Sequence, residues 1–171
     1  TGEGGAIFCN NPNYERSIFL KHNFGHASKT SIDGVGINAK MSELNAAMGL
    51  TVLPHLNNIF KDRKENFEYY KDELKLVKFL KIREETSYNY SYFPILFSSE
   101  KVLLLKKERL EKNNIFPRRY FYPSLNTLPF IKRNKMSNSE SISSRILCLP
   151  LFKNLDFKTQ KKVINILNNN S

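Results

Sequence analysis

The sequence contains no tryptophan, only two cysteines and three histidines. It has no apolar run near the ~18 residues that a membrane span needs. Cys9 and Cys148 cannot build a disulfide framework. Both lie among apolar neighbours and read as small buried hydrophobes of a reducing, cytoplasmic compartment. His22, His26 and His55 share no metal-ligand spacing and have no nucleophile partner, so no metal site is expected. No Ser-His-Asp order and no P-loop occurs. No basic start followed by an apolar block marks a secretion signal. Internal repeats are absent as well.

Acidic residues are also scarce. Sixteen Asp and Glu stand against 27 Lys and Arg, a net charge of +11. That excess raises one function class, a non-catalytic basic module that binds nucleic acid or a partner. Against nucleic acid, lysines such as Lys61, Lys64, Lys71 and Lys75 are spread along helical faces, and no DNA- or RNA-binding motif accompanies them. The same charge suits an enzyme whose substrate carries a diphosphate. With 171 residues, 40% hydrophobic and 12% aromatic, the chain is long and apolar enough for a packed domain.

The stretch on which the rest is organised is Gly34-Val35-Gly36-Ile37-Asn38-Ala39-Lys40-Met41-Ser42-Glu43, continuing as Leu44-Asn45-Ala46-Ala47-Met48-Gly49-Leu50. It reads as a glycine-rich loop entering a helix. Gly34 and Gly36 permit close approaches and backbone angles that a Cβ would block. Ser42 is the expected N-cap. The small pair Ala46-Ala47 predicts close packing of that helix, and Asn38 and Lys40 face whatever the loop surrounds.

Along the chain, Ala6–Cys9 predicts a short strand and Asn13–Lys21 a helix, followed by a loop over Phe24–Val35. Pro54 should break the helix that starts after Ser42. A second helix is expected over His55–Leu76, because Leu56, Phe60, Arg63, Phe67, Tyr70 and Leu74 recur at steps of 4, 3, 4, 3 and 4. Val77–Ile82 and Tyr88–Phe97 read as strands, with Pro94 arguing for an edge or bulge. Ser98 or Ser99 caps a helix to about Lys112, and Asn113-Asn114 supplies a left-handed stop. Ile115–Tyr122 is strand-like, Ser137–Ser144 a loop or short helix, and Ile146–Leu151 an apolar run ended by proline. Asp156 caps a last helix with Val163, Ile164 and Leu167 on its apolar side, and Asn168–Ser171 should fray. Arg118 and Tyr120, in Pro117-Arg118-Arg119-Tyr120-Phe121-Tyr122-Pro123, would share one strand face with Arg119 on the other. Guanidinium and phenol together suit a diphosphate.

The loop-and-helix stretch, with the Gly2-Glu3-Gly4-Gly5 turn, resembles the signature of the DegT/StrS-type sugar-nucleotide aminotransferases. These are pyridoxal phosphate (PLP) enzymes of the aspartate aminotransferase fold, type I, in the α/β class. The resemblance implies that residues 1–53 end the large PLP-binding domain, 54–76 form a bridging helix, and 77–171 form a small α+β domain. It implies that Asn38 reaches across a homodimer interface to the phosphate of the neighbouring subunit's PLP. It also implies that Lys40, Arg118 and Tyr120 contact substrate, since 117–126 resembles the family's R-x-Y-F-x-P-L segment at the active-site mouth. Glu3 would hold the glycine turn. The Schiff-base lysine of such proteins lies a few residues before Thr1, so the chain is expected to be a fragment with no catalytic residue of its own. Alanine-lysine-methionine after Asn38 is similar to the branch that aminates dTDP-4-keto-6-deoxyglucose from glutamate in O-antigen and other polysaccharide biosynthesis. A dehydratase of the same family, with histidine in place of the lysine, is the alternative reaction.

Overall fold

The computed structural model describes residues 2–169, which divide between Leu56 and Asn57 into two compact units. Part of the expected C-terminal fraying falls outside the described residues.

The first unit holds helices α1 (Pro12–His22) and α2 (Glu43–Val52) and a 3-10 turn at Leu53–His55. Asn11 caps α1 through its side chain, with Pro12 in the first turn, where its missing N–H leaves no bond unmade. Ser42 Oγ accepts from Asn45 N at 3.3 Å and caps α2, as the sequence predicts. Three predictions fail here. Ala6–Cys9 forms no strand among the described residues, because an extended segment becomes a strand only when a neighbour pairs with it. Cys9 is exposed rather than buried, beside an equally exposed Phe8. Glu3 makes no hydrogen bond among the described residues. The unit buries no large apolar side chain: Ile7, Val35, Ile37, Leu44 and Leu50 all stand in solvent, and α2, including Ala46 and Ala47, buries nothing.

Helix α3 (Leu56–Glu73) follows the 3-10 turn at Pro54. The second unit, which takes in nearly all of α3, has a core. Its stripe is buried in the second half, at Phe67, Tyr70 and Leu74, while Phe60 stays 40% exposed. A three-stranded antiparallel sheet follows in the order β1 (Lys78–Phe79), β2 (Phe93–Leu96), β3 (Ile146–Leu149). Helices α4 (Glu100–Glu111) and α5 (Ser137–Arg145) lie between β2 and β3 in sequence, and α6 (Phe157–Asn168) ends the fold. Phe93 and Ile95 of β2, Leu147 and Leu149 of β3, Leu103 and Leu110 of α4, and Val163, Ile164 and Leu167 of α6 complete one core with the α3 stripe. Each such side chain, fully buried, stabilises by roughly 1.5–3 kcal/mol relative to exposure.

The predicted caps hold: Ser99 for α4, Asp156 for α6, and Asn114 in the left-handed region at φ 60° after α4. The strand predictions hold only in part. Tyr88–Tyr92 is not strand, since Tyr90 has φ 49°, outside the extended region. Tyr88 and Tyr90 instead pack edge-on against Phe67 at 5.4 and 5.3 Å. Pro94 sits in the central strand, not at an edge. Its partner Cys148 turns both backbone groups outward to Arg118, so Pro94 needs no N–H toward β3. Its ring faces a flank where β1 has already ended, because β1 pairs only with Ile95 and Leu96. Ile115–Tyr122 shrinks to one bridge, Arg118 with Cys148.

Side-chain amides tie α6 to α3. Gln160 Nε2 donates to Asn66 O at 2.6 Å, and Asn168 Nδ2 donates to Glu73 O at 2.8 Å, satisfying a carbonyl at the end of α3. Lys106, 6% exposed, donates to Ile166 O at 3.3 Å and to Asn169 O at the end of α6.

Candidate functional site

Two polar clusters carry the residues singled out from sequence, one in each unit. In the first, the loop before α2 lies against the end of α1. Ile37 N donates to Lys21 O and Ala39 N to His22 O, both at 2.9 Å, so the loop satisfies carbonyls that a helix C-terminus leaves open. Phe24 N returns a bond to Ile37 O at 3.0 Å, and Asn38 bridges Asn23. Gly36 is required: a Cβ there would overlap Gly25 N and Leu20 O. Gly25, at φ 82°, is required too, since its Cβ would run into Gly34 O. Gly34 itself has open space around its Cβ position, against the sequence expectation.

This framework presents Asn38 and Lys40 together, both exposed. Lys40 Nζ donates to Asn38 Oδ1 at 2.8 Å and stands 4.1 Å from the centre of the Phe24 ring. With Oδ1 occupied, the Asn38 amide is fixed in orientation. Its Nδ2 makes no hydrogen bond among the described residues and remains a donor. One neutral N–H and one ammonium side by side suit an anion with several acceptor oxygens, such as a phosphate monoester.

In the second unit, Arg118 Nη1 donates to Tyr120 Oη, so the two share a face as expected. Arg119 points elsewhere. It pairs with Glu100 at 2.7 Å, donates to Ser144 O at 2.9 Å and covers the Tyr122 ring, which is a bracing role. Arg118 and Tyr120 line a cleft of about 350 Å³ with Tyr92, Phe116, Cys148 and Phe152. Tyr92 meets Tyr120 edge-on at 5.6 Å. Burial pushes the Cys148 thiol up, while the Tyr120 backbone N–H pulls it the other way. A buried, protonated thiol is a wall of the cleft and not a nucleophile. Tyr92, Phe116 and Phe152 are not legible as cleft residues in sequence, because the register of β2 with β3 and the Arg118–Cys148 bridge gather them. The arrangement offers one fixed guanidinium among aromatic faces, which suits a phosphate joined to a flat ring. Among the described residues no group of three or more His, Cys, Asp or Glu could hold a metal, and no helix is long and apolar enough to cross a membrane.

The comparisons with known proteins agree with one another. Residues 1–168 match the model of the DegT/DnrJ/EryC1/StrS aminotransferase family. The dTDP-4-amino-4,6-dideoxy-D-glucose transaminase of Shigella dysenteriae is 34% identical over 98% of this chain and 48% of its own length. The Escherichia coli protein of that name is 34% identical over 96% of this chain and 47% of its own. The chain thus spans about half the length of the curated relatives it matches. A crystal structure of a DegT DnrJ EryC1 StrS aminotransferase from Brucella abortus superposes with a TM-score of 0.83 at 22% identity, covering 94% of this chain and 44% of that one. The α/β fold expected from the sequence is the fold of these aminotransferases. On the family match and the identity to these relatives, the chain belongs to the DegT/DnrJ/EryC1/StrS aminotransferase family.

Proposed function

We propose that the whole protein moves an amino group from glutamate to a nucleotide-linked keto-deoxy sugar, dTDP-4-keto-6-deoxyglucose, in cell-surface polysaccharide biosynthesis, with PLP as cofactor. Family membership and the named activity of the two 34%-identical relatives support this reading. In it, residues 1–53 close a large cofactor-binding domain, 54–76 bridge, and 77–171 form the small domain. The protein works in the cytoplasm as a homodimer with shared active sites.

The observation that carries the proposal is the Asn38–Lys40 pair. The donors fit the group: a fixed amide with an uncommitted N–H, beside an ammonium, on a loop braced by backbone bonds. Bound PLP supplies the electron sink for amino transfer. Asn38 Nδ2 would donate to the phosphate of the cofactor held in the second subunit. Lys40 holds the Asn38 amide in that orientation and adds charge beside the sugar nucleotide. Arg118 pairs with the diphosphate, and Tyr120 holds Arg118 by its hydroxyl while its ring flanks the nucleotide. We assign none of this chain's residues to proton transfer. Its part is to bind and orient.

The test is Asn38→Ala in the complete protein. Losing a hydrogen bond to a charged group costs about 1.5–3 kcal/mol, so cofactor retention should fall by roughly tenfold to a hundredfold. Absorbance of bound cofactor after gel filtration reads this directly. Arg118→Ala should instead raise KM for the nucleotide sugar with retention unchanged. Full retention and turnover in Asn38→Ala would overturn the reading.

A further inference from the structure

A second cleft in the 57–171 unit, about 570 Å³, has no place in the reading above. It opens at the other end of the sheet from the Arg118 cleft. Lys78 pairs with Leu96, Leu96 pairs with Ile146, and Arg145 immediately precedes β3, whereas the Arg118 cleft takes Leu149 at the far end of β3. Those ends are roughly 10 Å apart at the rise of an extended strand.

Three cations converge on this cleft, Lys75, Lys78 and Arg145, and no carboxylate lines it. Among the described residues, none of the three takes part in a salt bridge. The nearby Glu100 is engaged by Arg119. Arg145 is held in place: Nε donates to Ser141 O at 3.0 Å, Nη1 to Phe97 O at 3.0 Å and Nη2 to Ser141 Oγ at 3.1 Å. A guanidinium has five N–H donors, so one remains on each terminal nitrogen. Neither lysine ammonium donates to any described residue. Ser98 lines the rim just before α4, whose N-terminal end adds positive potential. A fixed guanidinium with two spare donors and two uncommitted ammoniums carries a charge of about +3, which matches two linked phosphoryl groups better than one.

We propose that the cleft of Lys75, Lys78 and Arg145 is a binding site for a polyphosphate anion, two or more linked phosphoryl groups, separate from the sites of the transfer reaction.

The experiment is calorimetric titration of inorganic pyrophosphate into the complete, cofactor-loaded protein near physiological salt. All samples carry Arg118→Ala, which removes the diphosphate contact proposed above and keeps the two ideas separable. One saturable site is expected. Adding Lys75→Ala with Lys78→Ala should weaken it about tenfold or more, as loss of two charge-assisted contacts requires. A control pair on α6, Lys158→Ala with Lys161→Ala, removes equal charge and should change affinity less than about twofold. Thermal unfolding confirms that each variant is folded, and Arg145 is left alone because it braces Phe97 and Ser141. Absence of saturable binding, equal losses in both pairs, or orthophosphate binding as tightly as pyrophosphate would each overturn the proposal.

Discussion

Tyr70 gives the sharpest test of the core. Its side chain is fully buried between α3 and the sheet, 5.0 Å from the Phe93 ring, and its hydroxyl has no hydrogen-bond partner. Burial alone drives its phenol far above the usual range, the mark of a polar group out of water with nothing to replace it. A buried, unsatisfied hydroxyl costs about 1–3 kcal/mol. Tyr70→Phe removes that cost and gives up only the contacts of one oxygen, so the net gain should be about 1 kcal/mol. For a unit of this size, with unfolding entropy near 2.1 cal/mol/K per residue, that is a rise in Tm of about 4 °C. Thermal unfolding by circular dichroism reads it, and urea titration should show a higher midpoint at unchanged slope. Tyr88→Phe is the control: its hydroxyl donates to Tyr92 O at 3.1 Å near the surface, so its loss should be neutral to slightly destabilising. If Tyr70→Phe lowers stability by 1 kcal/mol or more, the hydroxyl is bonded and the argument is wrong.

Three further outcomes follow from the geometry. Gly36→Ala should destabilise its loop by about 1–3 kcal/mol, seen as faster hydrogen exchange at the Ile37 and Ala39 amides, while Gly34→Ala should leave both unchanged. Glu140 accepts from Met136 N at 3.0 Å and Asn126 Nδ2 at 2.6 Å, which hold its carboxyl below the ordinary range. Because the unfolded chain binds that proton more readily, its stabilisation is present above the ordinary glutamate value and is lost as pH falls through the lower folded one. Glu140→Gln should therefore flatten the acid limb of a stability-versus-pH curve, and an unaltered limb would show that the bonds do not matter. The 171-residue chain should self-associate as concentration rises, since the first unit leaves Ile7, Leu44 and Leu50 in water; a single monomeric species in light scattering at high concentration would contradict this.

How much was legible in the sequence depended on whether a signal was local. Caps are local, so Ser42, Ser99, Asp156 and the left-handed Asn114 were readable from neighbours a turn away. The α3 stripe and the apolar side of α6 were readable for the same reason. Strands are not local. Ala6–Cys9 has the composition of a strand but no pairing partner among the described residues, Tyr88–Tyr92 leaves the extended region at Tyr90, and Pro94 is central because of where β1 stops, which no window around it reveals. The pairing of Arg118 with Tyr120 follows from two-residue alternation, and the structure has it. The aromatic walls of that cleft come from positions far apart in sequence. The basic cleft was hidden likewise, since Arg145 lies many residues from Lys75 and Lys78 and meets them only through the register of β2 with its neighbours.

Lys106 ties the middle of α4 to the end of α6. Its ammonium, out of water and with its proton affinity lowered by that burial, is satisfied among the described residues by carbonyls at the close of α6. The last turn of α6 therefore works as a latch on a charge belonging to α4. Removing or unwinding that turn would strand that charge in the interior and loosen α4 at a distance from the change.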